Sequence, residues 1–434
     1  MKRKVSFITF GCKMNQAESQ ALAEKLSSHF DIVFEEKMGK SDIYVLNTCA
    51  VTSEAERKTR QTIRRLKKLN ENSKIIATGC YSVSDPEELK KAGANLVLGN
   101  LEKKQIDRLL YEEGIYSDKH FWYHNEKYDI LVPNEPYGNR TRVFLPIEEG
   151  CINSCTFCKI RFLRGLKIIS LQKKDVIKSI EKFIEKGYKE IVLTGTNLGY
   201  YGLDNSETLE GLLNQIGKSF ADKEIRIRIT SLYPEIITDN LSAILNAYPI
   251  FERHIHLSIQ HFSDKILESM NRKYNRKMIY TAIETLRKYD SNFSITGDLI
   301  VGFPGENEED LRIMFDSIEE LKLLKVHSFR YSPREGTVAA KMKNQIPGNE
   351  KKARLSQMNK IAELSRNNYL KGMIGSKVKV LTESFSKDIF FGYDEYYISH
   401  NVQFQGKNIE KDHFFNTKIS SLSKENKGVV SNVL

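Results

Sequence analysis

The sequence predicts an α/β protein in three parts: an N-terminal parallel α/β sheet over residues 1–130, a central partial TIM-like (β/α) barrel over 140–370, and a small C-terminal β-barrel over 373–434. Three observations predict it. Short β-rich runs alternate with helical stretches up to about residue 130 and again from Val143, a pattern that calls for parallel strands covered by helices. The tail beyond Leu370 carries short alternating runs with no helical period. The 434 residues also suggest two to four domains, at roughly 100–200 residues each.

The first part opens with a strand at Val5–Phe10 before a helix near Asn15–Leu26. Strand Asp42–Leu46 then precedes helix Ser53–Leu69, and strand Lys74–Thr78 precedes a helix opened by Asp85-Pro86. Ser53 with Glu56 three residues later reads as a capping box, and Pro86 suits a first helical turn. Tyr111–Arg140 is aromatic and polar without period, a connector. The second alternation has strand candidates at Val143–Ile147, Ile191–Thr194, Ile225–Ser231, His254–Gln260, Ser294–Val301 and Val326–Tyr331. Val176, Ile177, Ile180, Phe183 and Ile184 form a helical stripe stopped by Gly187. Six such units suit a partial or closed β/α barrel. A long helix, roughly Glu350–Leu370, leads to strand runs Lys377–Thr382, Ile389–Asn401 and Lys418–Val430.

Composition narrows the class of function. Hydrophobic residues make up 40% of the chain, too many for a disordered protein, and no run approaches the ~18–20 apolar residues that span a bilayer. The basic start Met1-Lys2-Arg3-Lys4 leads into Gly11-Cys12-Lys13 with no small-residue cleavage site, so it reads as a first strand rather than a signal peptide. The expected compartment is a reducing cytoplasm, where cysteines serve as thiols or metal ligands. With 67 Lys and Arg against 56 Asp and Glu, the net charge of +11 favours a polyanionic partner such as nucleic acid.

The cysteines carry the strongest chemistry. Cys151, Cys155 and Cys158 form a C-x3-C-x2-C run directly after a strand and Gly150. Three thiolates in so short a span wrap three corners of an iron–sulfur cluster and leave one iron open. Structural zinc normally takes four ligands, and no fourth Cys or His lies close by in sequence. Cys12, Cys49 and Cys80 are far apart, yet each follows the carboxyl end of a strand, and glycine precedes two of them. In a parallel sheet those ends open onto one crevice, so these three point to a second cluster site.

Polar residues occupy the carboxyl ends of the later strands: Thr196, Asn197, Ser231, Gln260, Asp298 and Ser332. That is the face where a β/α barrel builds its site, although each residue alone also suits a cap or turn. His254 and His256 share a strand face with Ser258 and Gln260 and read as lumen residues rather than metal ligands. Two basic features, Arg57–Lys68 and Arg272-Lys273 with Arg276, could meet phosphates, with a solvated helix face as the plainer reading. The glycines of Gly302-Phe303-Pro304-Gly305 are explained by a tight turn.

Taken together, these residues resemble the radical S-adenosylmethionine methylthiotransferases over nearly the whole chain. The C-x3-C-x2-C run is similar to the radical-SAM signature, and Cys12, Cys49 and Cys80 match the family's N-terminal cluster domain. Gly375–Val380 and Gly392–Tyr397 are similar to a TRAM domain. Gly11–Ser19, Asn47–Thr52, Arg228–Ser231 and Tyr331–Thr337 resemble the branch that acts on threonylcarbamoyladenosine in tRNA. The isopentenyladenosine branch usually has Gln at the position of Lys13, and the ribosomal-protein branch usually has Pro-Lys where this chain has Lys13-Met14. His261-Phe262-Ser263-Asp264 departs from a more usual Ser-Gly-Ser-Asp, and Val83 stands where glutamine is common.

The resemblance implies two [4Fe–4S] clusters and S-adenosyl-L-methionine, with all six cysteines as metal ligands and catalytic residues. It implies Phe157, Thr196, Asn197, Ser231, Gln260 and Asp298 as the AdoMet pocket. The implied reaction adds a methylthio group to C2 of the adenine, with the anticodon stem-loop of tRNA as substrate. The implied partners are an electron donor such as flavodoxin or ferredoxin and a sulfur source, with no membrane. The alternatives are the same chemistry on isopentenyladenosine tRNA or a ribosomal-protein aspartate, and a non-catalytic RNA-binding iron–sulfur sensor.

Overall fold

The computed structural model describes residues 2–34, 39–118, 129–386, 388–404, 411–424 and 427–434. The chain divides into two compact units, Met1–Phe183 with Leu193–Glu207 and Arg334–Thr337, and Ile184–Val192 with Thr208–Pro333 and Val338–Leu434.

The first unit begins with β1 (Lys4–Thr9), α1 (Lys13–Leu26), β2 (Asp31–Phe34), β3 (Ile43–Thr48), α2 (Ser53–Leu69) and β4 (Lys74–Gly79). It continues through α3 (Cys80–Ser84), α4 (Pro86–Ala92), β5 (Leu96–Leu98), α5 (Ile106–Leu109) and β6 (Gly114–Tyr116). The strands pair in parallel in the order β2-β1-β3-β4-β5-β6. Alternate residues feed opposite faces. Tyr44, Leu46, Ile75 and Ala77 pack with Ile63 and Leu66 of α2 and Leu89 of α4, whereas Val5, Phe7, Val45 and Ile76 pack with Leu22 and Leu26 of α1 and Ile106 of α5.

Two expectations change here. The N-cap of α2 is Thr52, whose hydroxyl accepts from the Ala55 N–H, so Ser53 and Glu56 do not form a capping box. Both are taken by Arg334, which donates to Ser53 Oγ at 3.0 Å and pairs with Glu56. The connector expected at Tyr111–Arg140 contributes the edge strand β6, whose three residues were too short to show a period. Residues 119–128 of that connector lie outside the described residues.

A second sheet runs β13-β12-β11-β10-β9-β7-β8 and is an open, partial β/α barrel. Within the first unit are β7 (Arg142–Glu149), α6 (Ile160–Arg164), the short antiparallel β8 (Ile169–Ser170) and most of α7 (Lys173–Glu185). Strand β9 (Glu190–Gly195) is divided between the units at Val192. The second unit holds α8 (Leu209–Phe220), β10 (Arg226–Leu232), α9 (Asp239–Ala247), β11 (Phe251–Gln260), α10 (Asp264–Ser269) and α11 (Arg276–Arg287). It adds β12 (Ser294–Val301), α12 (Glu308–Glu320), β13 (Lys325–Arg330) and α13 (Gly348–Gly372). All six long strands fall where the alternation predicted them. Gly302 and Gly305 sit at φ +75° and +81°, the turn that the sequence required.

After α13, β14 (Lys377–Ser386), β15 (Ile389–Tyr393), β16 (Ser399–Gln403), β17 (Phe414–Leu422) and β18 (Val429–Val433) close into a barrel in the order β14-β15-β16-β18-β17. The expected runs Ile389–Asn401 and Lys418–Val430 are thus each two strands, although residues 425–426 of the latter lie outside the described residues. The first break is made by buried Asp394, whose carboxylate accepts from the N–H groups of Tyr396 and Ile398 while Tyr397 takes φ +63°.

Within the second unit this barrel is fixed to the amino-terminal ends of β10–β12. Arg226 donates to the carbonyls of Tyr393, at 2.8 Å, and Lys379; the Arg253 N–H donates to the Glu395 carbonyl at 2.8 Å, and Ser294 Oγ to the Tyr396 carbonyl at 2.5 Å. Arg228, paired with Glu190 and Glu252 at 2.6 Å, lies 3.6 Å from the Tyr397 ring centre. Among the described residues no helix is long and apolar enough to cross a membrane.

Gly392 marks where the small barrel tolerates no side chain: an added Cβ would lie 2.0 Å from the Leu381 carbonyl oxygen. G392A is expected to lower the thermal unfolding midpoint of the tail by several degrees, for a cost of about 2 kcal/mol or more. Hydrogen exchange across residues 377–403 locates the loss, and unchanged protection there would contradict the packing described.

Candidate functional site

Strand order positions the N-terminal cysteines. With β2 outside β1, the direction in which strands are added to the sheet reverses between β1 and β3, and α1 and α2 cover opposite faces. Such a switch point leaves a crevice at the carboxyl ends of the strands. Cys12 stands there at the N-cap of α1, Cys49 follows β3, and Cys80 opens α3 after β4; β1, β3 and β4 are successive neighbours. The crevice is tight. A Cβ on Gly11 (φ +106°) would lie 3.2 Å from Cys49 Sγ, and one on Gly79 (φ +95°) would lie 2.3 Å from Asn47 Oδ1.

All six cysteines are free thiols; Cys12 is exposed, Cys158 is half-buried, and the other four are buried. Burial pushes Cys49 up to about 12, with Cys80 and Cys12 beside it adding to the rise. Burial likewise raises Cys80, with Cys12 contributing. Cys49 and Cys80 therefore share one electrostatic neighbourhood with Cys12, and these two buried thiols resist ionising unless positive charge is supplied. Among the described residues, no three His, Cys, Asp or Glu side chains are arranged to hold a single metal ion. A soft, all-thiol donor set fits an iron–sulfur cluster, whose corners hold the sulfurs apart.

The second set lies on a loop after β7. The Cys151 N–H donates to the Gly165 carbonyl at 3.1 Å, closing the loop at its neck, and the Cys158 N–H donates to the Cys155 carbonyl at 3.1 Å. Gly150 is obligatory, since at φ +108° a Cβ would lie 2.0 Å from the Lys167 carbonyl oxygen. Cys151 is raised to about 12 by burial and by Cys158 and Cys155. Phe157 is half-buried within the loop.

Beside it, the Gly150 N–H approaches Thr196 Oγ1 at 3.4 Å, and the Asn197 N–H donates to Glu148 Oε2 at 2.7 Å. Burial drives the Glu148 carboxyl well above its ordinary range. Among the described residues, Glu148 Oε1 and both polar atoms of the Asn197 carboxamide are buried without a hydrogen-bond partner. Orphaned buried polar atoms are rare, and a ligand carrying both donors and acceptors satisfies them. The amino and carboxylate groups of AdoMet are such a ligand.

Sequence reasoning missed the residues that join the two cysteine sets. Arg164, on α6, donates to Asn15 Oδ1 at 2.7 Å, to Glu18 at 2.5 Å and to Glu149 at 3.0 Å. Lys103 reaches Glu18 at 2.7 Å. All four charged side chains are at most 3% exposed. Asn15 donates to the Phe10 and Thr48 carbonyls and to Asn47 Oδ1, and its Oδ1 accepts from Cys12 Sγ at 3.3 Å. Lys159, next to Cys158, donates to Ser84 Oγ at 2.8 Å at the end of α3. The available signal was the i, i+3 pair Asn15 and Glu18, a polar face on a helix that starts at a cysteine.

In the second unit, Ser231 and Gln260 stand at the carboxyl ends of β10 and β11 with φ +35° and +67°, a conformation uncommon for non-glycine residues. Asp298, on neighbouring β12, lies 3.2 Å from His256. His254 and His256 both bond Thr296 Oγ1, at 3.0 and 2.9 Å, as lumen residues. Ser332 is half-buried just beyond β13. Of the basic features, Arg57 and Lys58 pair with Glu54 while staying exposed and Arg60 meets Tyr81, and Arg64, Arg65 and Lys68 are further exposed cations of α2. Arg272 stacks between Tyr233 and Tyr274 at 5.1 and 5.7 Å.

Comparison with known proteins adds to this geometry. Residues 4–99 match the family described as Uncharacterized protein family UPF0004, and residues 145–318 match the Radical SAM superfamily. The chain is 37% identical over 440 aligned residues, 99% of its length and 96% of the relative's, to the threonylcarbamoyladenosine tRNA methylthiotransferase MtaB of Thermotoga maritima. It is 33% identical to the Bacillus subtilis protein of the same name, over 93% of this chain and 90% of that one. In fold it is similar to the cobalamin- and [4Fe-4S]-bound radical S-adenosylmethionine methyltransferase TsrM of Kitasatospora setae, with TM-score 0.55, 14% identity and 77% of each chain covered.

The buried ion cluster has a pH signature. Burial alone would raise Glu18, but the Arg164 and Lys103 cations outweigh it and hold its carboxyl at about 2, below its ordinary 4.5. A carboxyl depressed on folding stabilises the protein above its unfolded value and loses that contribution as pH falls through the folded one. E18Q is expected to be destabilised by about 3 kcal/mol at neutral pH, as for a broken buried pair. The gap from wild type should close between about pH 4.5 and 2 in apo-protein thermal melts. A gap that persists unchanged at pH 2 would count against it.

Proposed function

The chain belongs to the radical-SAM methylthiotransferase family, and from that premise we propose that it inserts a methylthio group at C2 of N6-threonylcarbamoyladenosine next to the anticodon of tRNA. The observation that carries this reading is the occurrence, within one unit, of two separate sets of three free thiols, one at the carboxyl ends of β1, β3 and β4 and one on the loop after β7. A single radical-generating site needs only one. Cys151, Cys155 and Cys158 hold the cluster that binds AdoMet; Cys12, Cys49 and Cys80 hold a second, sulfur-carrying cluster. When bound, these groups supply one-electron cleavage of AdoMet and the methylated sulfur that is transferred.

The chain's own residues bind and orient. The Asn197 carboxamide offers a donor and an acceptor to the polar end of AdoMet, and Glu148 fixes the Asn197 backbone. The further AdoMet contacts of this proposal are Phe157 and Thr196 of the first unit and Ser231, Gln260 and Asp298 of the second. Residues 1–130, 140–370 and 373–434 act as sulfur-carrying, radical-generating and RNA-holding modules. The work is done in the cytoplasm, with electrons from a flavodoxin or ferredoxin and sulfur from a separate source. An adenine in an anticodon loop is already partly unstacked, so presenting its C2 edge costs little.

Mass spectrometry of tRNA nucleosides from a deletion strain tests the substrate: the methylthio form of threonylcarbamoyladenosine should disappear. Loss of the isopentenyladenosine form, or of a methylthiolated ribosomal-protein aspartate, would move the chain to another branch. Failure to form 5′-deoxyadenosine from AdoMet under anaerobic reduction would favour a non-catalytic sensor. C155A should abolish AdoMet cleavage, whereas C49A should keep cleavage and stop sulfur insertion. Equal loss of cleavage in both, with the first cluster intact, would overturn the division.

The tail's RNA role is best tested at single positions, since removing it would strip Tyr397 from Arg228. Phe391 and Ile389 are 40% and 36% exposed on β15. F391A is expected to weaken tRNA binding about tenfold, in line with the loss of one stacked base, and to leave RNA-free AdoMet cleavage unchanged.

A further inference from the structure

We propose that Arg164 is a positioning residue that couples the two cysteine sets, setting both the placement and the electrostatic environment of Cys12, Cys49 and Cys80 from the neck of the Cys151 loop. The inference rests on the reading of those three residues as a cluster site. It concerns a residue that neither the motif nor the pocket includes.

The geometry is continuous. On one side, the Gly165 carbonyl, one residue from Arg164, accepts from the Cys151 N–H, and Glu149, two residues before Cys151, accepts from Arg164 Nη1. On the other, Arg164 Nη2 donates to Asn15 Oδ1, the same atom that faces Cys12 Sγ. The remaining amide of Asn15 is spent on the Phe10 and Thr48 carbonyls, beside Cys12 and Cys49, and on Asn47. Asn15 thus cannot rotate without breaking the turns that present both cysteines. Its orientation is dictated by the one cation that reaches its oxygen.

Electrostatics runs the same way. The guanidinium of Arg164 is one shared atom, Asn15 Oδ1, away from Cys12 Sγ, and Asn15 also holds the Thr48 carbonyl just before Cys49. A fixed cation near a buried group favours whichever of its states is more negative. Arg164 should therefore favour the reduced form at the N-terminal site. Glu18 and Glu149 offset the charge of Arg164 and Lys103, so the quartet is balanced, and removing either sign leaves the other exposed to the cluster.

The test uses the full-length chain carrying C151A, C155A and C158A, so that only the N-terminal site can hold a cluster, with iron content, EPR and a reductive titration as readouts. R164Q should shift the midpoint potential to more negative values, R164K should restore it, and E18Q should shift it the opposite way. Opposite signs are the signature, because a merely structural defect gives no such pair. In the chain with all six cysteines, R164Q should lower methylthio product per 5′-deoxyadenosine at least tenfold while AdoMet cleavage continues. If R164Q fails to load iron, E18Q keeps the guanidinium and still decides: a potential unmoved, or moved negative, overturns the proposal. Unaltered potential and coupling in a fully loaded R164Q also overturn it. If the triple variant with Arg164 intact takes up no iron, it is the reading of Cys12, Cys49 and Cys80 that fails.

Discussion

A guanidinium taken wholly out of water must be matched on every side, and Arg164 is matched by Glu18 from α1, Glu149 from β7 and the Asn15 carboxamide. The desolvation penalty for such a group is several kcal/mol, recovered only while all three partners hold their positions. That requirement ties together elements far apart in the chain. It fixes the start of α1, hence Cys12; it fixes the end of β7, hence the approach to Cys151; and through Asn15 it fixes the turns after β1 and β3. Neither cysteine set can drift without uncovering a buried charge.

What was legible in the sequence was whatever a local pattern determines. The six long strands of the second sheet were found because apolar runs bounded by turns mark a strand wherever they occur. Cys12, Cys49 and Cys80 could be grouped because the carboxyl ends of parallel strands face one way, whatever the strand order, and Cys151, Cys155 and Cys158 by their spacing alone. The switch point itself was not readable: it depends on β2, four residues long and only half-buried, pairing outside β1. The Arg164 network was equally hidden, since its hydrogen bonds join residues 149 and 146 positions apart. The same blindness explains the capping box expected at Ser53. Its spacing is right for a helix start, but a distant arginine claims both side chains. In the tail, period-2 alternation continued across the Asp394 turn because Tyr396 and Ile398 keep the apolar rhythm while the backbone reverses.

The second unit separates two tasks along the length of its strands. At the carboxyl ends of β10 and β11 the backbone is held in the unfavourable conformation of Ser231 and Gln260. At the amino ends, Arg226, Arg228, Arg253 and Ser294 are committed to the C-terminal barrel, with the Tyr397 ring closing over Arg228. Stability is invested at one end and strain is kept at the other. The tail barrel thus completes the hydrophobic and ionic packing of the sheet as well as presenting Phe391 and Ile389 outward.

The Arg334–Thr337 segment belongs to the first unit, although the chain on both sides of it belongs to the second. Arg334 meets Ser53 across 281 positions of sequence. On the ribosome, then, the body that carries all six cysteines cannot finish closing when its own stretch of chain has emerged. It waits for a short strap made much later in translation. The start of α2, just beyond Cys49, is left without its arginine partner until most of the chain has been made.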